Sequence, residues 1–387
     1  MTNTPTKMKV VVAMSGGVDS SVAACLLHEQ GYEVIGLFMR VGAEPDESAA
    51  PEVADRHRGC CSAADAADAR FVAGLLDIPF YALNFQKDFD RIIDYFADEY
   101  ANGRTPNPCV VCNHDLKFGK LADYADAVGA RYLATGHYAR IEQHRGQLRL
   151  RRGVDSHKDQ SYVLFGIERA MLDRILLPIG SMSKAEVREH ARRFGLPVCD
   201  KPDSVDICFV PDQDYARVVR QRRPDAFRDG DVVDAQGKVL GRHSGTPQFT
   251  IGQRRGLGIA AGVPIYVTGI DPKTRRVTVG TREKLLEHGL IGERANFLID
   301  EPHDVFRARV KIRYLHKAVG ATVEPSSDHT VRVIFDEPQP AVTPGQAVVF
   351  YDDEEYVIGG AWIREPFDPT NHRDLRADLI TPPVREA

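Results

Sequence analysis

Strand and helix signals alternate through the first 150 residues, and this alternation limits the possible fold more than any other feature. Lys9–Ala13 is a short β-branched run that predicts a strand, and apolar periodicity predicts a helix over residues 20–30, which Gly31 can cap. Further strands are predicted at 33–38, 80–83 and 131–135, and further helices at 63–76, 88–100, 116–128 and 184–194. Such alternation is typical of a parallel, doubly wound α/β sheet, in which ligands bind outside the carboxyl ends of the strands.

The second half of the chain has a different pattern. After residue 215 the helical periodicity largely disappears, and a hairpin over 232–240 and two strands over 264–280 are predicted. From residue 308 the segments VKIRY, TVRVIF and AVVFY alternate with turn signals, which predicts a small closed β-barrel. We expect an α/β domain at 1–215, a small central domain at 216–284, a C-terminal β-barrel at 285–365, a flexible tail at 366–387 and a mobile insertion at 41–59.

Composition excludes several classes of protein. Of the 387 residues, 43% are hydrophobic and 27% are charged, which rules out wholesale disorder, collagen and coiled coil. No apolar run approaches the roughly 20 residues that span a bilayer, and MTNTPTKMKV lacks a signal-peptide pattern, so a cytoplasmic location without membrane partners is expected. A net charge of −5 argues against non-specific coating of nucleic acid. Arginine clusters at 217–223 and 254–255 either bind phosphates or form solvated faces.

The sharpest motif is AMSGGVDSS, residues 13–21, between the first strand and its helix. Adjacent Gly16 and Gly17 let the backbone approach a ligand, and their N–H groups and the helix N-terminus attract anions. The loop lacks both the lysine of a Walker A motif and the pattern G-x-G-x-x-G, which disfavours an ordinary P-loop NTPase and a dinucleotide fold. We predict a phosphate site, and the alternative is a helix N-cap without a ligand.

SGGVDSS resembles the pyrophosphate loop of the N-type ATP pyrophosphatases, which cleave ATP to AMP and pyrophosphate and leave the substrate adenylated. The resemblance implies that the chain uses ATP with Mg²⁺, and that Asp19 helps to hold the metal. Met39, just past the second strand, and Gly136 match adenosine-contacting positions. The implied ATP-binding residues are Ala13, Met14, Ser15, Gly16, Gly17, Val18, Asp19, Ser20, Met39 and Gly136.

The cysteines are the second source of candidate chemistry. Seven is an odd number, and a reducing cytosol argues against a disulfide framework. Cys109 and Cys112 follow two prolines that stiffen an exposed loop. Asn113 and Lys117 come next at the start of a helix, an electropositive setting that favours a thiolate. Cys208 lies far along the chain in KPDSVDICF. Structural roles are expected for Cys25, Cys60, Cys61 and Cys199.

Three kinds of site are compatible with Cys109, Cys112 and Cys208. A zinc site needs a fourth ligand, which His114 or Cys60 would have to supply. An iron–sulfur cluster could use the three thiolates as ligands and leave one iron without a protein ligand. This cofactor is possible but is not favoured. A redox-cycling pair of nucleophiles is favoured, because activation by adenylation requires a nucleophile.

Many ordered motifs together resemble one family, the tRNA-specific 2-thiouridylases, which thiolate the wobble uridine of certain tRNAs. The match extends from Lys9 to about Ile363 through SGGVDSS, GRTPNP…CN, ATGHYAR, KDQSYVL, KPDS…ICF, FTIGQRRGLG and TPGQ. The resemblance implies a pyrophosphatase-type domain, a small central domain and a C-terminal β-barrel. It also implies a tRNA-uridine 2-sulfurtransferase activity.

The family's mechanism follows from leaving-group chemistry. Uracil O2 does not depart as oxide, but once adenylated it departs as AMP. The resemblance implies that sulfur arrives as a persulfide on Cys208 and that Cys112 is the nucleophile that releases it, which leaves a Cys112–Cys208 disulfide. The implied partners are tRNA, a persulfide donor protein and a thiol reductant. We expect the two sulfur atoms to meet in the folded chain.

One position departs from the family, because known members carry Asp where this chain has Cys109. A thiol cannot serve as that carboxylate, and the change completes a C-x-x-C. Cys109 is therefore a candidate for base contact or for cluster ligation, ranked below Cys112 and Cys208.

The resemblance also implies RNA contacts. Lys158 and Arg313 suit phosphate, and Tyr314 offers a stacking face for a base that must be turned out of its stack. His137 taken without its motif would be a core or turn histidine. The implied tRNA-binding residues are Asn107, Pro108, Cys109, His137, Lys158, Asp159, Gln160, Arg313, Tyr314 and Gln346.

Other functions stay open at this point. An adenylating ligase of the same fold would share SGGVDS, yet it needs neither two separated thiols nor an RNA-sized second half. A sulfurtransferase that depends on an iron–sulfur cluster would use the cysteines as ligands. A non-catalytic RNA-binding protein would keep the loop without using ATP.

Overall fold

The computed structural model describes residues 7–41, 62–203 and 207–369. Most of the predicted insertion, Cys60, Cys61 and the chain from residue 370 lie outside the described residues. The chain divides into two compact units. The first contains the residues up to Tyr95, Pro108–Val218 and Glu355–Val357, and the second contains Phe96–Asn107, Val219–Glu354 and the residues from Ile358 onward.

Strands and helices alternate in the first part of the chain, as predicted. The elements are β1 (Lys9–Ala13), α1 (Val18–Glu29), β2 (Glu33–Arg40), α2 (Ala63–Leu75), β3 (Phe80–Asn84), α3 (Gln86–Ala101), α4 (Pro108–Val111), a π-helix (Cys112–Lys120), α5 (Leu121–Ala127), β4 (Tyr132–Ala134), β5 (Ala139–His144), β6 (Gln147–Arg152), β7 (Ile175–Leu176), α6 (Lys184–Arg193) and α7 (Tyr215–Arg222). Short 3₁₀ turns occupy Ser161–Leu164 and Arg169–Arg174.

The sheet of the first unit has five parallel strands in the order β3-β2-β1-β4-β7. β1 pairs with β2 from the Lys9↔Glu33 position onward and with β4 on its other side. Because these strands are parallel, the segments that follow Ala13, Arg40 and Ala134 leave the same edge of the sheet. The predicted doubly wound α/β fold is confirmed.

Helix α1 is buried on nearly every side, which explains its run of small and apolar residues. Val22 and Ala23 are fully inaccessible, and the same hydrophobic core includes Val187 and Ala191 of α6. Cys25 is 1% exposed, and burial raises the pKa of its thiol to about 11. The core position predicted for this cysteine is confirmed.

The segment that carries Cys109 and Cys112 is helical from Pro108, whereas the sequence pattern predicts a helix only from residue 116. Proline suits the first position of a helix, because its missing N–H would have no helical partner there. The π-helix that begins at Cys112 has a wider turn than an α-helix, so an α-helical periodicity does not detect it.

The second unit consists mainly of two β-structures. A four-stranded sheet in the order β10-β11-β8-β9 packs around Val232, Val267 and Val277, and a closed barrel has the order β12-β15-β14-β13-β16-β17. Both predicted structures, the small central domain and the barrel, are confirmed. The strands are β8 (Gly230–Val233), β9 (Val239–His243), β10 (Tyr266–Asp271), β11 (Arg276–Gly280), β12 (Leu286–Phe297), β13 (Phe306–Lys311), β14 (Val319–Pro325), β15 (Val331–Pro340), β16 (Ala347–Tyr351) and β17 (Val357–Phe367).

Two local differences from the sequence pattern concern the barrel. β17 continues to Phe367, so regular structure extends past the predicted start of the tail at residue 366. β13 ends at Lys311, so VKIRY is only partly a strand and its last residues enter a turn. Across the residues that the structure describes, no helix combines the length and the apolar character that crossing a membrane requires.

Candidate active site

The glycine loop after β1 requires glycine at one position in particular. Gly16 has a φ of +73°, and a Cβ atom there would lie 2.2 Å from the backbone oxygen of Asp65. Ser20 holds the loop from the other side, because its hydroxyl accepts a 3.0 Å hydrogen bond from the Ser15 amide and lies 3.1 Å from the Ser15 hydroxyl. The loop is thus a compact turn braced by its own serines.

Gly17, in contrast, lies in open space. It is the N-cap of α1 with φ −92° and ψ 169°, which any residue can adopt, and a Cβ atom there would meet only the Ser15 hydroxyl at 3.5 Å. The N–H groups in the first turn of any helix lack helical acceptors. In α1 no side chain caps them either. The helix macrodipole adds positive potential at this point. This end of α1 is therefore suited to a phosphate group, as predicted for the loop.

Lysines reach the loop from distant parts of the chain, and the sequence pattern did not predict them. The Lys201 ammonium donates a 3.0 Å hydrogen bond to the Gly16 carbonyl and forms ion pairs with Asp65 at 2.6 Å and Asp68 at 2.8 Å. The Lys184 ammonium lies 2.8 Å and 2.9 Å from the two carboxylate oxygens of Asp19. The lysine charge next to this loop therefore comes from distant parts of the chain. A Walker A loop, in contrast, carries its lysine within the loop itself.

Lys184 bridges two carboxylates. Its ammonium lies 2.9 Å from Asp203 as well as beside Asp19, and Lys158 contacts Asp203 at 2.6 Å. Burial opposes ionisation of Asp203, but hydrogen bonds from Lys158 and Lys184 outweigh it and lower the pKa of this carboxyl to about 2. Arg188 adds a 3.1 Å contact to the same carboxylate. Asp203 is therefore ionised at neutral pH.

Tyr138 completes the surroundings of Asp19. Its hydroxyl donates a 2.6 Å hydrogen bond to Asp19, and burial, followed by the charge of Asp19, raises the pKa of the phenol. The phenol thus stays protonated and acts as a donor. Asp19 is oriented by a neutral donor on one side and by a cation on the other.

Adenosine contact by Met39 and Gly136 stays a prediction, and the structure places both residues at the carboxyl edge of the sheet. Met39 is half-buried near the end of β2, and Gly136 follows β4 at the same edge of the sheet. A Cβ atom on Gly136 would lie 2.6 Å from the Ser20 amide nitrogen and 2.7 Å from the Asp19 carbonyl carbon. Glycine at 136 therefore lets the β4 loop pack directly against the first turn of α1.

The donor set fits Mg²⁺ that arrives with ATP. Asp19 supplies a carboxylate beside the loop, and its side chain is 33% exposed. Within residues 7–41, 62–203 and 207–369, no group of three or more His, Cys, Asp or Glu side chains could hold a metal ion. Magnesium in nucleotide sites is usually held by one or two carboxylates and the phosphates themselves, so one carboxylate suffices for this type of site.

The three candidate cysteines lie in different parts of the structure. Cys109 is in α4 and Cys112 begins the π-helix, and both are half-buried. Asn113 next to Cys112 is 2% exposed, and its amide nitrogen lies 3.4 Å from the Val163 carbonyl. Cys208 is half-buried and lies two residues after the stretch 204–206, which is outside the described residues.

No disulfide bond links the cysteines that the structure describes. Cys109, Cys112 and Cys208 also do not form a three-ligand metal group there. The approach of Cys112 to Cys208 stays a prediction. One ring contact places the Cys208 segment, because Phe209 meets Phe89 of α3 edge to face at 5.7 Å.

The backbone that leads toward Cys208 is anchored by a single arginine of α6. Arg188 donates hydrogen bonds to the carbonyls of Cys199 at 2.7 Å and Lys201 at 3.1 Å, in addition to its contact with Asp203. Together with Lys201 on the Gly16 carbonyl, these contacts attach residues 199–203 to the phosphate loop and to α6.

Several residues with an implied RNA contact are buried hydrogen-bonding groups. His137 is 6% exposed and shares a 2.7 Å hydrogen bond with Thr135, and burial, aided by the charge of Lys117, holds the pKa of its imidazole well below the usual value. Asp159 is 4% exposed and accepts hydrogen bonds from Arg152, Gly153 and Ser161. These two side chains orient the surrounding loops.

Two further residues of this group have identified partners. Gln160 accepts a 3.0 Å hydrogen bond from the Tyr138 amide, and Lys158 pairs with Asp203. Lys158 keeps 37% of its side chain exposed, so a phosphate could compete for its ammonium. Among these residues it has the charge and the exposure that suit RNA.

In the second unit, Gln346 positions the segment that leads into the Asn107–Pro108–Cys109 motif. Its amide nitrogen donates to the carbonyls of Thr105 at 3.1 Å and Pro106 at 2.9 Å. The Thr105 amide in turn donates to the Pro344 carbonyl at 2.8 Å. The side chain of Gln346 therefore holds the backbone of residues 105–106. The motif TPGQ alone does not indicate this role.

The arginine clusters differ in their surroundings. Arg217 pairs with Asp212 at 3.0 Å, Arg223 pairs with Asp98, and Arg220 lies 4.0 Å from the Phe227 ring centroid. These partners favour a solvated face for the first cluster. Arg254 and Arg255 are exposed, and Arg254 lines an open cavity of about 510 Å³.

Comparison with known proteins identifies the family. The chain is 49% identical over 388 residues to the tRNA-specific 2-thiouridylase MnmA of Rhodopirellula baltica, with 93% of this chain and 97% of the relative covered. The chain belongs to the tRNA-specific 2-thiouridylase family. It is also 49% identical to the MnmA of Carboxydothermus hydrogenoformans and 50% identical to that of Geobacter metallireducens, with 92% of this chain and 97% of each relative covered.

Family models divide the match into three parts. Residues 8–212 match a tRNA methyl transferase HUP domain, residues 217–281 a tRNA methyl transferase PRC-barrel domain, and residues 287–363 an aminomethyltransferase β-barrel domain. The family that the motifs resemble is thereby confirmed.

Proposed function

We propose that this chain catalyses ATP-dependent 2-thiolation of the wobble uridine in tRNA. The observation that carries the proposal is the match to 2-thiouridylases over 93% of the chain. Two distant lysines support it, because Lys184 contacts Asp19 and Lys201 contacts the carbonyl of Gly16 in the glycine loop. Residues 1–215 would supply the ATP and sulfur chemistry, and residues 216–365 would help to bind RNA. The cytoplasm is the expected location.

The first step is adenylation of uracil O2. The oxygen attacks the α-phosphorus of ATP, the bond to the β-phosphate breaks, and pyrophosphate leaves. Residues 13–20 bind the phosphates through backbone N–H groups, and Met39 and Gly136 border the adenosine. Lys184 and Lys201 stabilise the negative charge of the departing pyrophosphate. Mg²⁺, held by Asp19 and the phosphates, would supply further charge neutralisation.

The second step transfers sulfur. A persulfide on Cys208 contacts C2 through its terminal sulfur, a C–S bond forms and AMP leaves with the former O2. The Cys112 thiolate attacks the inner sulfur of Cys208, so the S–S bond of the persulfide breaks and a Cys112–Cys208 disulfide forms. A thiol reductant then supplies two electrons and two protons, and a persulfide donor protein reloads Cys208.

The decisive experiment is anaerobic incubation with tRNA, ATP, Mg²⁺ and a persulfide donor, followed by nucleoside mass analysis and assay of AMP and pyrophosphate. We expect 2-thiouridine, with one AMP and one pyrophosphate for each. Cys112→Ser and Cys208→Ser should abolish the product, while Cys199→Ser, a matched half-buried cysteine, should retain it. Full product from both of the first two variants would refute the thiol mechanism.

The same experiment separates the other functions. The family-model descriptions name methyl transfer, which adds a methyl group to a nucleoside instead of exchanging oxygen for sulfur, so the product masses differ. Pyrophosphate release without tRNA modification would indicate a different adenylating ligase. Product formation only in preparations that contain iron would support the alternative in which Cys109, Cys112 and Cys208 hold an iron–sulfur cluster.

A further inference from the structure

The motif FTIGQRRGLG, residues 249–258, contains none of the residues of the ATP and cysteine chemistry, yet it borders an open cavity of about 510 Å³. The cavity is lined by Arg254, by Gly256 and Gly258, and by apolar side chains such as Val263. All of these residues belong to the second compact unit. The volume lies within the range that small-molecule sites occupy, roughly 300–1,000 Å³.

The sequence around this cavity carries positive charge without carboxylates. Residues 235–270 contain no Asp or Glu, whereas the whole chain has 55 among 387 residues, so about five would be expected in a stretch of 36. The same stretch contains four cationic side chains: Lys238, Arg242, Arg254 and Arg255. A concentration of one sign of charge beside a cavity raises the local concentration of ligands of the opposite sign. The cavity is therefore suited to an anion.

Two of these cations are available to a ligand. Arg242 lies 3.8 Å from the carboxylate of Asp231, but in the part of the chain that the structure describes neither Arg254 nor Arg255 forms an ion pair, and both are exposed. The arginine cluster at 217–223, in contrast, has carboxylate partners. A guanidinium group matches a phosphate through two parallel hydrogen bonds, so the two loop arginines fit a phosphate ligand.

The loop that carries these arginines is held at both ends. The side-chain oxygen of Gln253 accepts a 3.0 Å hydrogen bond from the Thr250 amide, and its side-chain nitrogen donates to the Arg255 carbonyl at 2.9 Å. On the other side, Leu257 is 8% exposed and belongs to the same hydrophobic core as Val267 of β10. Because the backbone is already fixed, less ordering entropy is lost when a ligand binds.

The chemistry of the cavity favours RNA over a protein partner. RNA supplies a phosphate with every nucleotide, and each base has an apolar face. The apolar wall of the cavity includes Val263, which is 59% exposed and can pack against the nucleotide next to a bound phosphate. Protein interfaces are enriched in aromatic residues, whereas the described residues that line this cavity include none.

We propose that this cavity is a tRNA-binding site in which Arg254 and Arg255 contact backbone phosphates and the apolar wall contacts an adjoining nucleotide. The proposal rests on the proposed function, which makes tRNA the substrate, and it adds a site outside the tRNA-binding residues that the family resemblance implies. Gln253 is the positioning residue, because it holds the Arg255 carbonyl. Binding here involves no covalent change.

The test measures tRNA affinity by filter binding over a series of salt concentrations. Arg254→Ala/Arg255→Ala should weaken tRNA binding about tenfold and lower the slope of log Kd against log salt concentration by about 2, because two phosphate contacts are lost. Arg254→Lys/Arg255→Lys should keep the wild-type slope, since both positive charges remain. A loss of slope in the lysine variant as well would contradict a phosphate contact.

Arg217→Ala/Arg220→Ala is the matched control. It removes the same net charge, but these arginines already contact Asp212 and the Phe227 ring. The control should keep the wild-type slope. An unchanged slope for Arg254→Ala/Arg255→Ala, or an equal decrease in both double alanine variants, would overturn the inference.

Two further outcomes separate this site from other functions. If Arg254→Ala/Arg255→Ala binds tRNA normally but accepts sulfur only from free sulfide and not from a persulfide donor protein, the cavity is a protein-docking site and the inference is wrong. If wild-type protein shows the expected slopes but forms no 2-thiouridine, the RNA site is supported and the proposed function is overturned.

Discussion

The Lys201 ammonium donates a 3.0 Å hydrogen bond to the carbonyl of Gly16, a residue 185 positions earlier in the chain. The same ammonium pairs with Asp65 and Asp68 of α2. Partial burial opposes ionisation of Asp65, but hydrogen bonds from Lys201 and Ser62 lower the pKa of its carboxyl. Lys201 thus attaches the segment that leads to Cys208 directly to the phosphate loop.

The two loop glycines should respond differently to substitution. Gly17→Val should leave the fold intact, because its φ is ordinary and little lies near its Cβ position, but the side chain would fill the space where phosphate meets backbone. Gly16→Ala should destabilise the fold by more than about 1 kcal/mol, because of its positive φ and its contact with Asp65. Thermal unfolding and calorimetric ATP titration measure the two effects, and tight ATP binding by Gly17→Val would contradict the site.

Lys184→Met should weaken ATP binding by about 10- to 150-fold, because one charge-assisted contact to phosphate contributes on the order of 1.5–3 kcal/mol. The control is Arg193→Ala on the same helix, whose ion pair with Glu29 at 2.8 Å is half-exposed on both sides. Such surface pairs contribute little, so ATP affinity should not change in the control. An equal loss in both variants would indicate a general effect on α6 instead of phosphate contact.

Asp203 should make the free energy of unfolding depend on pH in the acidic range. Its pKa in the folded chain is about 2, below the ordinary 3.8, so the carboxylate contributes stability above the ordinary value, and this contribution is lost as the pH falls toward 2. Asp203→Asn should be less stable at pH 7 and should flatten the acid side of the profile. Urea unfolding between pH 2 and pH 7 tests this, with Asp200→Asn as control, since Asp200 is 83% exposed. Parallel profiles for wild type and Asp203→Asn would rule out this role.

Arg313→Ala should weaken tRNA binding, because one phosphate contact is lost. The slope of log Kd against log salt concentration should fall by about 1. Arg307→Ala is the control on the same barrel, since Arg307 already pairs with Asp336. Filter binding over a salt series supplies the slopes. An unchanged slope for Arg313→Ala would remove Arg313 from the phosphate contacts.

Local patterns in the sequence determined a large part of this protein. The β-branched run Lys9–Ala13, the glycine turn and the helix after it were predictable because each depends on neighbours a few residues away. The hairpin around Gly237, whose φ is +82°, follows from the same local rule. Family motifs added the functional class and the candidate site residues.

Only the tertiary structure decided which side chains surround the phosphate loop. Lys184 and Lys201 have no periodic or motif signal that connects them to residues 165 and 185 positions earlier. The same holds for the burial of Asp159, whose polar type suggests exposure. Long-range packing sets these contacts, because parallel strands bring their carboxyl ends to one edge regardless of the sequence length between them.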